Sequence, residues 1–193
     1  MNKEKLLYPP GDFSIWIIIY IELITFGLFF IGFAFSRKGQ VEVFNASQLL
    51  LDQRFGFVNT ILLITSSYFV VKAVTIIKSI NTEESFQKAS VYLLGAIGLG
   101  GVFLIIKIIE FSDKYSQGIN LSTNSFFMFY FILAIFHFMH VILGMIILYN
   151  LYLNTKEGLY TKKEYRGLET GASYWHMVDL LWIVLFPLVY IIR

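Results

Sequence analysis

The chain has 193 residues, of which 57% are hydrophobic and 15% charged, and its mean hydropathy is +0.69. A soluble domain carries about 25% charged residues, so this composition indicates a membrane protein. The lack of cysteine excludes disulfides, thiolate-bound zinc and iron–sulfur clusters, and a net charge of +2 is too small to indicate nucleic-acid binding.

Long apolar runs follow a short polar head that ends at Pro9-Pro10-Gly11. A helix that crosses a bilayer needs about 20 apolar residues, and it satisfies its own backbone hydrogen bonds in lipid. The first run is too long for a signal peptide and lacks a small-residue cleavage site. We therefore predict an all-α fold, a polytopic membrane helical bundle that forms one unit over 1–193. The five predicted transmembrane helices span about 13–35, 55–77, 89–109, 126–151 and 172–192.

Basic residues in the connections predict how the bundle is oriented. The connection between the fourth and fifth runs is the most basic, and the polar head adds Lys3 and Lys5. We therefore predict that the N-terminus is cytoplasmic and that the C-terminus lies outside. The basic residues of that connection are Lys156, Lys162, Lys163 and Arg166.

Polar residues interrupt the first two runs. Glu22 lies roughly ten residues into the first run, near mid-membrane at about 1.5 Å per residue. Ionising it in lipid would cost several kcal/mol, so we expect a protonated carboxyl or a polar partner. In the second run, Asn59 shares a helix face with Ser66, and Thr60 shares one with Ser67. We interpret both pairs as interhelical hydrogen-bonding residues.

Small residues lie at the centre of the third run. Ala96 and Gly100 form a small-xxx-small pair, which lets helix backbones approach closely. No strand or basic residue accompanies these glycines, so they do not indicate a phosphate loop. Near the end of the run, Lys107 and Glu110 are predicted to pair because they have i,i+3 spacing.

All three histidines lie in the last two runs. His137 and His140 share a face of the fourth run, and His176 shares a face of the fifth with Asp179. Helical bundles bind metals or haem through such spacings. However, His137 and His140 lie half-way through their run, whereas His176 lies near the start of its own. We favour hydrogen-bonded interior histidines, and spacing alone leaves a metal site open.

The lead-in to the fifth run carries large aromatic rings. Tyr174 and Trp175, like Tyr8, fit the aromatic belt found at membrane–water interfaces. Glu169 precedes them and shares a helix face with His176 if the helix begins before Glu169. Seven residues separate these two, about 10 Å along the axis, so no hydrogen bond between them is predicted.

Several sets of residues along the chain form recognisable motifs. They are Trp16 with Glu22-Leu23; Asn59-Thr60 with Ser66-Ser67; Gly98 with Glu110; Ser125-Phe126-Phe127 with His137, His140-Val141-Ile142 and Gly144; and Glu169 with Tyr174-Trp175-His176, Val178-Asp179 and Trp182. Together they resemble subunit III of the haem–copper oxidases, the cytochrome c oxidase subunit III family. The resemblance covers nearly the whole chain, and the last two motifs are the most specific.

The resemblance implies a subunit of an oxidoreductase complex that is not an enzyme on its own. It implies that electrons from cytochrome c reach oxygen in other subunits, which hold the haems and copper. This subunit would scaffold catalytic subunit I and support proton uptake and turnover stability in aerobic respiration. The implied location is the bacterial cytoplasmic (inner) membrane. The implied partners are subunit I, other oxidase subunits and membrane lipids, with bound phospholipid, no nucleic acid and no small-molecule substrate.

The resemblance assigns no catalytic, cofactor-binding or metal-binding residue to this chain, and it makes the three histidines structural. It also implies that the carboxyl of Glu22 faces a lipid region. The residues with an implied structural, lipid-facing or polar intramembrane role are Glu22, Asn59, His137, His140, Glu169, Trp175, His176, Asp179 and Trp182.

The sequence departs from the full-length family pattern in two respects. Full-length members have seven spanning helices, so the five predicted here resemble the short bacterial form without the first two. Lys107 stands where the family often has glutamine. The short form includes accessory proteins of nitric oxide reductase, which is one alternative function. An independent proton-coupled transporter that uses Glu22 and Asp179 is a more remote one.

Overall fold

The computed structural model describes residues 9–79 and 82–192, and within these ranges it contains helices and no strand. Lys3, Lys5 and Tyr8, which entered the sequence predictions, lie outside the described residues. The helices are α1 (Phe13–Gly39), α2 (Val41–Gln48), α3 (Gln53–Ser79), α4 (Glu83–Ser116), α5 (Ser125–Lys156) and α6 (Arg166–Phe186), which continues into a π-helical turn (Pro187–Ile191).

Five of these helices are long and apolar enough to cross a membrane, which confirms the predicted number of spans. The helices α1, α3, α4 and α5 are longer than their predicted runs, because polar ends continue each helix beyond the apolar part, and α6 begins six residues before its run. At the start of α4, Thr82 and Ser85 form a reciprocal capping box, and the exposed Lys88 pairs with Glu84 at 2.6 Å. The short α2 was not predicted, because its eight residues carry no run long enough to mark a span.

Contacts between helix ends define the topology. The start of α1 meets the start of α6, where Asp12 N donates to Thr170 Oγ1 at 2.9 Å. The ends of α1 and α6 meet at the other side, where Arg37 Nη1 donates to Ile192 O at 2.7 Å. We call the end of the bundle that holds Asp12 the near end, and the end that holds Arg37 the far end.

The last helix, α6, is the centre of the bundle. It buries 61% of its most apolar stretch, whereas α1 buries 17% of its own. The reason is that α6 packs against α1, α3 and α5, whereas α1 packs mainly against α5 and α6. The buried side of α1 is therefore one narrow stripe with helical spacing, formed by Ile15, Ile19, Phe26 and Phe33.

Two small residues admit the Trp175 ring into the bundle. A Cβ on Gly144 would lie 2.7 Å from the ring, and a Cβ on Gly100 would lie 3.0 Å from it. Trp175 is consequently 1% exposed, and Tyr174 is 3% exposed. The prediction that these two rings belong to an interfacial belt is therefore wrong, because both lie inside the bundle. The interpretation of Gly100 as a packing residue is confirmed.

The segment before α1 is tied to α6 at the near end. Arg166 Nε lies 3.0 Å from Asp12 Oδ1, and Thr170 Oγ1 is 3.2 Å from Asp12 Oδ2. Gly11 has φ of +83°, and a Cβ there would come within 2.9 Å of Thr170. Only glycine combines that backbone conformation with so close an approach. The amide of Gly11 also donates to Glu169 Oε2 at 3.3 Å.

Candidate functional site

A buried polar cluster joins α4, α5 and the π-helical turn toward the far end. Lys107 Nζ donates to Glu110 Oε2 at 2.9 Å, and both side chains are 1% exposed. The hydroxyls of Tyr130 and Tyr190 donate to Glu110 Oε1 at 2.9 and 2.5 Å. Lys107 also donates to the Tyr190 oxygen at 2.7 Å. The predicted pair of Lys107 and Glu110 is confirmed, and the two tyrosines that complete its coordination were not predicted.

This cluster and two glutamines together fix the end of the chain. Gln48 Nε2 donates to Val189 O at 2.9 Å, and Gln53 Nε2 donates to Tyr190 O at 2.7 Å. The last carbonyl groups of a helix lack intrahelical donors, and these side chains supply them. The π-helical turn is thereby attached to α2, α3 and α4 at once.

A second polar contact joins α1 to α5 at the depth of Glu22. Glu22 Oε2 lies 3.0 Å from His140 Nε2, with the two side chains 24% and 10% exposed. This contact confirms the predicted polar partner for the carboxyl. The partner could not be identified from the sequence, because the two residues come from helices far apart in the chain.

The other nitrogen of His140 bonds within α5 and orients the ring. His140 Nδ1 lies 2.7 Å from Phe136 O, and a carbonyl oxygen only accepts, so Nδ1 carries the hydrogen. Nε2 is therefore the ring nitrogen that faces the Glu22 carboxyl.

A third polar contact joins α3 to α6 nearer the near end. Ser67 Oγ lies 2.7 Å from His176 Nδ1. Asp179 is 8% exposed, and its Oδ1 has no hydrogen-bond partner within the described residues.

Glu169 lies at the near-end surface, on the same face of α6 as His176. It forms an ion pair with Lys78 of α3. Because α6 begins at Arg166, before Glu169, the condition for a shared face is met, and both residues line one groove. As expected from their separation, Glu169 bonds to Lys78 and Gly11 rather than to His176.

The polar face of α3 contributes further interhelical bonds. Ser66 Oγ donates to Ala96 O of α4 at 2.9 Å, and Thr60 Oγ1 accepts from Trp182 Nε1 of α6 at 3.0 Å. These bonds confirm the predicted interhelical role of Thr60 and Ser66. Asn59 is different: it is fully buried, and neither polar atom of its side chain has a partner in the described part of the chain.

His137 is enclosed by aromatic rings. Its ring centroid lies 5.2 Å from that of Trp182, 5.7 Å from that of Phe103 and 6.5 Å from that of Phe26. It is fully buried, and among the described residues neither ring nitrogen has a hydrogen-bond partner. The expectation of hydrogen-bonded interior histidines holds for His140 and His176 and is wrong for His137, which packs as a ring.

The histidines do not converge on one point. His140 contacts Glu22, His176 contacts Ser67, and His137 lies between rings. Over residues 9–79 and 82–192, no group of three or more histidine, cysteine, aspartate or glutamate side chains is placed to hold a metal ion. The polar groups form separate contacts between helices instead of one reaction centre.

Fold and polar contacts define a multi-pass membrane protein whose buried polar groups join helices to one another. The chain belongs to the cytochrome c oxidase subunit III family. The sequence model of that protein family, described as "Cytochrome c oxidase subunit III", matches residues 48–193. With the five spans, this membership defines a multi-pass protein of the bacterial inner membrane.

Individual relatives agree with the family match. A protein of Synechocystis named "Cytochrome c oxidase subunit 3" is 32% identical over 70% of this chain and 55% of its own length. "Heme-copper oxidase subunit I+III" of Aeropyrum pernix is 27% identical over 93% of this chain. "Cytochrome bo(3) ubiquinol oxidase subunit 3" of Buchnera aphidicola is 24% identical over 98% of this chain and 90% of its own length. The chain spans 55% of the first relative and 22% of the second.

Proposed function

We propose that this protein is a subunit of a haem–copper terminal oxidase that holds no redox centre and stabilises the catalytic subunit. One observation carries the proposal. An alignment that covers 93% of this chain, at 27% identity, matches it to a relative whose name joins subunits I and III. A fused protein keeps its two parts together permanently. We infer that the separate chain occupies the same place, against a catalytic subunit I.

The internal contacts support a scaffolding role. Lys107 and Glu110 neutralise each other, and the carboxyl of Glu22 is matched by His140. Buried polar groups that are paired in this way suit a structural role that joins helices. In this proposal the helices give the catalytic subunit a fixed surface, which supports proton uptake and turnover stability.

Membrane lipid belongs to the same proposal. The side of α1 that surrounds Glu22 is apolar and exposed, with Ile21, Ile24 and Leu28 each more than half exposed. Acyl chains of phospholipid, or helices of the partner, would cover this side in the membrane. We propose bound phospholipid there, between this subunit and its neighbour.

The electron donor of the complex is either cytochrome c or a quinol. We propose cytochrome c, because the relatives from Synechocystis and Thermostichus vulcanus carry the name "Cytochrome c oxidase subunit 3". Quinol is the second candidate, since relatives from Buchnera aphidicola and Staphylococcus saprophyticus are named as quinol oxidase subunits. Oxidation rates of reduced cytochrome c and of ubiquinol by the purified complex distinguish the two.

Deletion of this chain tests the scaffolding role. We expect the complex purified without it to keep its haem absorbance spectrum and its initial rate of oxygen consumption. We expect its activity to decline faster during sustained turnover than that of the complete complex, and re-expression of the chain to restore the slower decline. Loss of haem on deletion would show that the chain binds the redox centre or is needed to build it.

A further inference from the structure

The outer face of α3 carries polar side chains in the part of the helix that crosses the membrane. Thr65, Tyr68, Lys72 and Thr75 follow one another at steps of three or four residues, so they lie on one face of the helix. Tyr68 is 53% exposed, Lys72 and Thr75 are exposed, and Thr65 is half-buried. We call these four residues the α3 stripe.

Lys72 lies at membrane depth. The 27 residues of α3 measure about 40 Å, whereas the hydrocarbon core of a bilayer is about 30 Å thick. Lys72 lies about 10 Å before the end of the helix, and Tyr68 lies one turn closer to its middle. With α3 centred in the bilayer, both residues lie within the hydrocarbon. Charged groups in a span normally face the interior of a bundle or water, and Lys72 faces neither.

The side chain of Lys72 points away from the near-end surface. A helical side chain is directed toward the N-terminus of its helix, which for α3 is at the far end. Lys72 Nζ accordingly lies 5.3 Å from the centroid of the Tyr68 ring, which is one turn deeper in the membrane. The ammonium group is therefore held at the depth of Tyr68, away from the lipid phosphates at the near end.

Two other ionisable groups at membrane depth are matched within the chain. Lys107 pairs with Glu110, and Glu22 lies 3.0 Å from His140. Lys72 differs, because in the described part of the chain no carboxylate lies within ion-pair distance of its ammonium group. Its charge is left for a group outside these residues.

We propose that the α3 stripe is a docking surface for a transmembrane helix of the catalytic subunit, and that this helix carries a carboxylate that pairs with Lys72. The inference rests on the proposed function, in which a catalytic subunit lies against this chain. Charge complementarity defines the chemistry of the partner. Its helix presents an aspartate or glutamate at the depth of Tyr68, where the carboxylate neutralises the ammonium group.

The two threonines of the α3 stripe also suit contact with another helix. Thr65 Oγ1 donates to Ile61 O at 2.7 Å, and Thr75 Oγ1 donates to Val71 O at 2.8 Å. Each hydroxyl has its own donor satisfied, and its oxygen still accepts a hydrogen bond from a neighbouring chain. Small polar side chains of this kind are enriched where membrane helices pack together.

The exposed side of α1 has a different character. Ile21, Ile24 and Leu28 are each more than half exposed, and the carboxyl of Glu22 is matched by His140 of this chain. This side suits acyl chains and presents no unmatched charge at the depth of Glu22. The α3 stripe therefore identifies α3, rather than α1, as the helix that faces an acidic partner.

Photo-crosslinking in the complete complex tests the docking surface. The photoreactive residue p-benzoylphenylalanine replaces Tyr68 in an otherwise parent chain, and mass spectrometry identifies the cross-linked peptides after illumination. Tyr149 of α5 is the matched control position, because its side chain is 52% exposed on another span. We expect position 68 to cross-link to an acidic transmembrane helix of the catalytic subunit, and position 149 to give no product with that helix.

Charge reversal tests the role of Lys72. We expect Lys72→Glu to lower the recovery of the catalytic subunit with this chain by about 10-fold or more, because like charges then meet across the interface. Lys72→Arg keeps the charge and should retain the parent recovery. Lys163→Glu makes the same change at an exposed position in the connection before α6, and it should have no effect. Replacing the acid of the cross-linked partner helix with lysine should restore recovery in Lys72→Glu.

The outcomes separate this inference from the proposed function. Lipid as the sole product at position 68, with unchanged recovery of the catalytic subunit in Lys72→Glu, would overturn the docking surface and leave the proposed function intact. Cross-linking from position 68 to a protein other than the catalytic subunit would also overturn it. If the catalytic subunit is absent from the parent complex, the proposed function fails and the docking surface fails with it.

Discussion

Glu22 of α1 lies against His140 of α5, with 3.0 Å between the carboxyl oxygen and the ring nitrogen. The bond from His140 Nδ1 to Phe136 O fixes the ring so that Nε2 faces the carboxyl. The contact ties the middle of α1, the least buried of the five spans, to α5. The pair therefore has a measurable energetic role in keeping α1 in place.

We predict that Glu22 and His140 are energetically coupled. Glu22→Leu and His140→Leu should each lower the thermal stability of the protein in detergent. The double variant should lose less than the sum, with a coupling energy of about 1 kcal/mol or more. Thr25→Val is the control, because Thr25 bonds within its own helix to Ile21 O. Strict additivity of Glu22→Leu and His140→Leu would mean that the contact contributes nothing.

We predict that Lys107→Met strongly destabilises the protein. The substitution leaves Glu110 buried without its cation, and removing one partner of a buried ion pair costs about 3–5 kcal/mol. Lys88→Met is the matched control, because the ion pair of Lys88 with Glu84 is exposed. This substitution should not change stability measurably. Similar melting temperatures for the two variants would contradict the assigned role of the far-end cluster.

We predict that Gly144→Ala destabilises the bundle by about 1–3 kcal/mol, the usual cost of overpacking. Its Cβ would lie 2.7 Å from the Trp175 ring, which has no free space to move because it is 1% exposed. Gly98→Ala is the control, since no atom lies within 4 Å of the position of its Cβ. It should be neutral or slightly stabilising, because alanine is the better helix former. Thermal unfolding curves of both variants provide the comparison.

We predict that Asn59→Leu is neutral or stabilising. The amide is fully buried, and in the described part of the chain neither of its polar atoms has a hydrogen-bond partner. Replacing such a group with an apolar side chain of similar size removes an unfavourable burial. Ser66 lies seven residues farther along the same face of α3. Ser66→Ala should destabilise the protein, because it loses the hydrogen bond to Ala96 O. A marked loss of stability in Asn59→Leu would show that the amide has a partner in the membrane.

The five spans could be predicted because each apolar run is long enough to cross a bilayer, and a helix satisfies its own backbone hydrogen bonds in lipid. The pair of Lys107 and Glu110 could also be predicted, since helical spacing brings the two side chains together. The contact of Glu22 with His140 was not, because it depends on how α1 packs on α5. The burial of Trp175 depends similarly on Gly144, which lies on another helix.

Some features left little local signal in the sequence. The eight residues of α2 form a helix that is held by far-end contacts, including the bond from Gln48 to Val189 O. His137 and His140 lie on the same face of α5, three residues apart. His137 is nevertheless surrounded by aromatic rings, whereas His140 contacts the carboxyl of Glu22. Helical periodicity identifies the buried face of a helix but does not identify what the neighbouring helix places against it.

Mass spectrometry of the intact complex purified through this chain tests the central claim most directly. We predict that the catalytic subunit of an oxygen-reducing haem–copper oxidase co-purifies, with haem assigned to that subunit and none to this chain. Recovery of a nitric-oxide-reducing catalytic subunit would transfer the scaffolding role to another enzyme. Recovery of this chain alone from intact membranes, without any haem protein, would contradict the claim that it is an oxidase subunit.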